Sequence, residues 1–251
     1  MKKQRTKRQH WLPINSHLNN FAVDGKVVVY FLPDKKCPDV LHVAREKLMN
    51  PINVGVKGNL YEAPILPPNT IEIALGEIEN DFGNILADKI IKRIPLNEED
   101  HKKVAMYVSL LESRSLPQSK HLLEFISEMK DMGIAMCRHH KNADAEKRWL
   151  EKIKPIEETF FAQSIGVSAE VNKWEYLDFC FLYPAEFVKA KFITADHPVV
   201  VMDFTLDNQV YGLNHWNKTA ECIVPLTPNI TLFGNTCGIT GYKEVDYNSL
   251  R

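Results

Sequence analysis

Hydrophobic positions in this 251-residue chain change their period twice. Near the start, Lys26-Val27-Val28-Val29-Tyr30-Phe31-Leu32 follows the turn pair Asp24-Gly25 and precedes Pro33-Asp34, which predicts a strand. Asn53 to Tyr61 is short and punctuated by glycine, and Pro64 to Pro68 makes a stiff connector. From about residue 69 to 161 the spacing becomes helical. Ile71, Leu75, Ile78, Phe82, Ile85 and Leu86 recur at threes and fours behind a capping pair, Asn69-Thr70. Asn97-Glu98-Glu99-Asp100 opens a second helix through Val104, Val108 and Leu111. It ends near Ser113 to Leu116, because Pro117 disfavours helical geometry at the residue before it. Leu122, Phe125, Ile126 and Met129 define a third helix, and Ala143 to Phe161 a fourth, interrupted or kinked at Pro155. Beyond that the period shortens. Tyr176 to Tyr183, Pro198 to Phe204, Cys222 to Leu226 and Ile230 to Phe233 read as strands, separated by Tyr183-Pro184, Asp207-Asn208 and Thr227-Pro228-Asn229.

A strand, a run of helices and then a run of strands define an α+β fold. The expected architecture is a central helical block, about residues 69–161, packed with a mostly antiparallel sheet formed from the early strand and the C-terminal strands. No composition break divides residues 9–251, so they are read as one domain behind a basic, flexible N-terminal arm, residues 1–8, with Lys2, Lys3, Arg5, Lys7 and Arg8. No repeat of 20–50 residues is present.

Composition narrows the function classes. The chain is 45% hydrophobic and 10% aromatic, enough for a substantial core, and its formal net charge of -1 gives no global pull toward nucleic acid or membrane. No apolar run approaches the roughly 18 residues that cross a bilayer, and no signal peptide follows the basic start. Cys37, Cys137, Cys180, Cys222 and Cys237 are odd in number and widely spaced, without a C-x-x-C pair. That pattern argues against a disulfide framework and against a zinc ribbon, and it points to a reducing cytoplasm.

The densest chemistry lies in residues 7–22. There Gln9, His10 and His17 sit among Trp11, Leu12, Leu18 and Phe21, with Leu12 held extended by Pro13. Leu18, Phe21 and Ala22 fall on one face of a short helix, which anchors His10 near the body of the fold. On the first long helix, Glu72, Gly76, Glu79 and Gly83 share a face, and two glycines there predict close approach by a helix or by a ligand held between the carboxylates.

Three separated motifs then form a set: Gln9-His10-x-x-Pro13 with Leu18 and Phe21, Asn53-Val54-x-x-Lys57-x-x-x-Tyr61, and Thr194-x-Asp196-x-Pro198-Val199. Together with Ile78-Glu79, Arg114-x-x-Pro117 and Val224-Pro225-Leu226-Thr227-Pro228, they resemble the prokaryotic domain-of-unknown-function family 4238 from about Arg8 to Asn248. In this chain His17 stands where a tyrosine is usual in that family. Its relatives continue past Asn248, so a truncated or naturally short member is expected. The resemblance brings no established activity.

Chemistry supplies two readings. In the first, His10, Glu79 and Asp196 converge as a mixed nitrogen and oxygen site for Mg²⁺, Mn²⁺ or Zn²⁺ that activates water for phosphodiester hydrolysis. Arg114 then grips a phosphate, and Gln9, Arg8 and His121 contact the nucleic acid. Arg114 and His121 also resemble the R-x(4–6)-H pair of metal-independent HEPN ribonucleases, although Pro117 falls between them. This reading makes the protein a nuclease, in the manner of a toxin or defence effector. In the second it is a non-catalytic binding or protein-interaction module, with the same residues structural. Arg138-His139-His140 diverge around a helix, and His197 and His215 lack partners at ligand spacing. No Gly-rich phosphate loop, G-x-S-x-G elbow or H-E-x-x-H motif occurs.

Overall fold

The computed structural model describes residues 8–31, 45–58, 60–61, 66–171, 174–185, 191–202 and 220–245. The arm up to Lys7, Cys37, Pro64, Asp207-Asn208 and His215 lie outside them.

The chain enters through β1 (Arg8–His10), which pairs antiparallel with β4 (Val56–Gly58), Gln9 opposite Lys57. Arg8 is therefore the first residue of a strand rather than the last of an arm. Between these strands Leu18–Phe21 forms a single 3₁₀ turn, shorter than the expected helix, with Leu18 buried. Gly55, at φ +62°, turns the chain into β4, and its amide oxygen accepts from Trp11 N at 2.8 Å.

The early strand forms as expected but has a different partner. β2 (Val27–Phe31) pairs with β3 (Arg45–Met49) in a two-stranded sheet of their own, Val27 opposite Met49 and Phe31 opposite Arg45. The main sheet is built from C-terminal strands alone: β5 (Asp178–Pro184), β6 (Val200–Met202), β7 (Glu221–Thr227), β8 (Ile230–Asn235) and β9 (Gly241–Val245). They run in the order β6-β7-β8-β5-β9, all antiparallel except the β5–β9 pair.

There are four helices among the described residues, of which α1 (Thr70–Ile85) and α2 (Glu98–Ser113) pack on this sheet, while α3 (Leu116–His139) and α4 (Ala143–Val171) pack on each other and α4 on α2. α1 continues into a π-helical turn, Leu86–Ile90. α2 starts in a full capping box. Asn97 Oδ1 accepts from Asp100 N at 2.9 Å, and Asp100 Oδ2 accepts from Asn97 N at 3.0 Å. Pro117 does not break a helix. It sits in the first turn of α3, where a missing N–H costs nothing, behind the Ser115 cap. α4 runs through Pro155 without interruption.

Apolar residues from α1, α2 and the inner face of the sheet share one core, in which Phe82 stacks on Tyr107 with ring centroids 3.7 Å apart. Trp174 is fully buried there, and its indole N–H donates to Glu112 Oε2 at 2.9 Å. A second cluster joins Tyr61, Leu75, Leu110, Phe161 and Ile165, and it ties the β1–β4 region to the helices.

Candidate functional site: a buried arginine clasp

Arg114 follows the last residue of α2, and its side chain turns inward with 2% of its surface exposed. A buried guanidinium must place its donors on acceptors, since each unmet charge-assisted bond would cost several kcal/mol. Nη1 donates to Glu79 Oε1 on α1, Nη2 donates to the His10 carbonyl at the end of β1, and Nε donates to Tyr61 Oη at 3.2 Å. The Tyr61 hydroxyl in turn donates to the same His10 carbonyl at 2.8 Å. Burial pushes the Tyr61 phenol up to about 12, against the pull of Arg114, so it keeps its proton and remains a donor. The Tyr61 amide N–H donates to Oε1 of the buried Gln9 at 2.7 Å, which completes the ring.

The Thr194 to Pro198 segment crosses close by. His197 Nδ1 is hydrogen-bonded to Ser115 Oγ at 2.7 Å, and the same Oγ caps α3 by accepting from Gln118 N. His17, fully buried, has Nε2 2.7 Å from Thr194 Oγ1, while its Nδ1 has no hydrogen-bond partner among the described residues. Burial, helped by the positive charge of Arg114, lowers the His17 pKa to about 4, so the ring is neutral near pH 7. Tyr107 Oη reaches the carbonyl and hydroxyl of Ser16, both at 3.2 Å, and extends the network to the next residue of the same loop.

The expected site residues are thus only partly brought together. Glu79, Arg114, Gln9 and the backbone of His10 meet; the His10 ring does not join them. Its Nε2 donates instead to the Ile52 carbonyl at 3.1 Å. Asp196 is exposed, and Glu79 is engaged by Arg114. Among the described residues no three His, Cys, Asp or Glu side chains are grouped to hold a metal ion, so the His10, Glu79 and Asp196 set is not assembled. Arg8 places its Nη2 on the Ile52 carbonyl and on Asn53 Oδ1, at 3.3 and 3.0 Å. His121 points to solvent with 78% of its side chain open, 3.8 Å from Glu124, whereas Arg114 points inward. The HEPN-like pair therefore does not face one site. The glycine face of α1 also differs from expectation: a Cβ at Gly76 or Gly83 would meet nothing within 4 Å.

Sequence reasoning missed His17, Tyr107 and Ser115 as members of this network. For Tyr61 the signal was present, as the last residue of the Asn53 to Tyr61 motif, and for Thr194 as the first of the third motif.

The fold and this clasp define an α+β protein whose N-terminal strand, Tyr61 segment and first two helices are pinned at one arginine, with the late loop held beside it through His17 and Ser115. The chain matches the family described as "Protein of unknown function (DUF4238)" over residues 8–243, nearly its whole length, and it belongs to that family. No curated protein and no solved structure matches it. Among the described residues no helix is long and apolar enough to cross a membrane.

Proposed function

We propose that this protein is a non-catalytic binding module, specialised for protein interaction, in which the motif residues are structural. The observation that carries this reading is the engagement of Arg114. Each of the three nitrogens of its guanidinium already donates to Glu79, Tyr61 or His10, and burial of the group inside the fold keeps its charge from being presented to a phosphate. The His10 ring nitrogen that would serve as a proton donor holds a backbone carbonyl.

A surface suited to a partner lies elsewhere. Phe125, Met129, Met132 and Met136 fall on one face of α3 and are all exposed, Met132 by 62%. At about 200 Å² for an open side chain of this size, they present roughly 400 Å² of apolar surface, the scale at which a patch marks an interaction site. The occupant that fits is a second copy of the chain, which presents the same apolar stripe: an antiparallel pair of α3 helices centred on Met132 covers the two stripes with each other about a twofold axis.

The test is incubation of the full chain with single-stranded RNA and duplex DNA in the presence of Mg²⁺, Mn²⁺ or Zn²⁺. The expected result is no cleavage above that given by His10→Ala. Cleavage that disappears in His10→Ala or Asp196→Asn, with melting unchanged, would overturn this reading in favour of a nuclease.

A further inference from the structure

Lys57 belongs to the second motif, yet the clasp does not use its side chain. It borders an open-mouthed pocket of about 210 Å³ lined from β4, the first turns of α3 and the middle of α4. Leu60, Leu123 and Phe161 supply apolar walls, and Ser119, Glu157 and Glu158 supply polar ones. Ser119 is 1% exposed, and its Oγ has no hydrogen-bond partner among the described residues. A buried hydroxyl without a partner is a standing cost, which a ligand that bonds it would relieve.

The charges around the cavity are of both signs. Lys57 forms no ion pair among the described residues, and Ser119 is the fourth residue of a 24-residue helix, near its positive end. On the opposite wall Lys130 Nζ contacts both Glu157 oxygens, at 2.9 and 3.1 Å, so that carboxylate is neutralised. Glu158 forms no ion pair among the described residues and leaves a negative charge at the mouth. A bare anion would be repelled by Glu158 and a bare cation by Lys57. A group carrying both charges is favoured by each.

The geometry points to a site for a small zwitterion, a free α-amino acid with an aliphatic or aromatic side chain. Its carboxylate lies toward Lys57 and Ser119, its ammonium toward Glu158, and its side chain on Leu60, Leu123 and Phe161. The size agrees: about 210 Å³ has room for a molecule on the scale of leucine or phenylalanine. This inference goes beyond the interaction-module reading and does not depend on it.

Calorimetric titration of the full chain with L-leucine and L-phenylalanine at neutral pH tests it. Saturable binding is expected, weakened about tenfold or more by Lys57→Ala and by Ser119→Ala with melting temperatures not lowered. The exposure of Lys57 and the unmet bond of Ser119 make both variants structurally harmless. 4-Methylpentanoate, which lacks the amine, and 3-methylbutylamine, which lacks the carboxylate, are each expected to bind at least about tenfold more weakly than leucine. Absence of heat at millimolar amino acid would overturn the site. So would binding indifferent to Lys57→Ala, equal binding of 4-methylpentanoate, or equal binding of a leucyl-glycine dipeptide, whose free carboxylate is displaced along the chain.

Discussion

Arg114 and His17 show how one buried charge sets the chemistry of its surroundings. Desolvation works against the guanidinium, but the Tyr61 oxygen and the Glu79 carboxylate outweigh it and hold the charge in place. The same charge helps keep His17 neutral, and that has a pH consequence. His17 has a folded pKa of about 4 against 6.5 for a free histidine, so the unfolded chain binds the extra proton first as pH falls. Its contribution to stability is complete above about pH 6.5 and is lost progressively toward pH 4, by about 3 kcal/mol in all. Urea unfolding measured between pH 4 and 7 should show that loss, and His17→Gln should flatten it, since an amide can still bond Thr194 without titrating. An unchanged slope in the variant would remove His17 as the cause.

Two glycines test the packing of the helices with opposite signs. On α3, the Trp149 indole of α4 lies directly over Gly133, and a Cβ there would come within 2.2 Å of its ring. The backbone must be bare for the two helices to approach, so Gly133→Ala should destabilise the protein by about 1–3 kcal/mol in thermal or denaturant unfolding. On α1, Gly76 has open space around it, and Gly76→Ala should stabilise by up to about 1 kcal/mol. These signs were not legible in the sequence, where the Gly76 and Gly83 face looked like a contact and Gly133 drew no notice. The helices themselves were legible, because caps such as Asn97 and Ser115 and the period of the apolar residues are local signals. Strand partners were not. Arg45-Glu46-Lys47-Leu48-Met49 lacks alternation and forms β3 only through pairing with β2, and the charged edge strand β9 depends equally on β5. The candidate site was half legible: the motifs supplied Gln9, Tyr61, Glu79, Arg114 and Thr194. Spacing along the chain holds no information on which of two side chains a hundred residues apart turns inward, and that choice separates a clasp from a catalytic centre.

Across the whole molecule, the clasp joins β1, the Tyr61 segment, α1 and the α2–α3 junction, while the outer face of α3 stays open. The paired-copy arrangement predicts a weak, concentration-dependent dimer, since two apolar stripes of this size cover only about 800 Å², short of a standard interface. Sedimentation velocity over a range of concentrations should show it, and Met132→Glu, which sets like charges together at the centre, should return the protein to monomer with melting unchanged. A monomer at every concentration would contradict the pairing and leave the clasp untouched. The central claim, that Arg114 is structural, is tested most directly by a double-mutant cycle of Arg114→Ala and Glu79→Ala in denaturant unfolding. The account predicts a loss of about 3–5 kcal/mol for Arg114→Ala, with a coupling between the two positions of about 2 kcal/mol. Wild-type stability in both variants, with no coupling, would show that the pair does not hold the fold together.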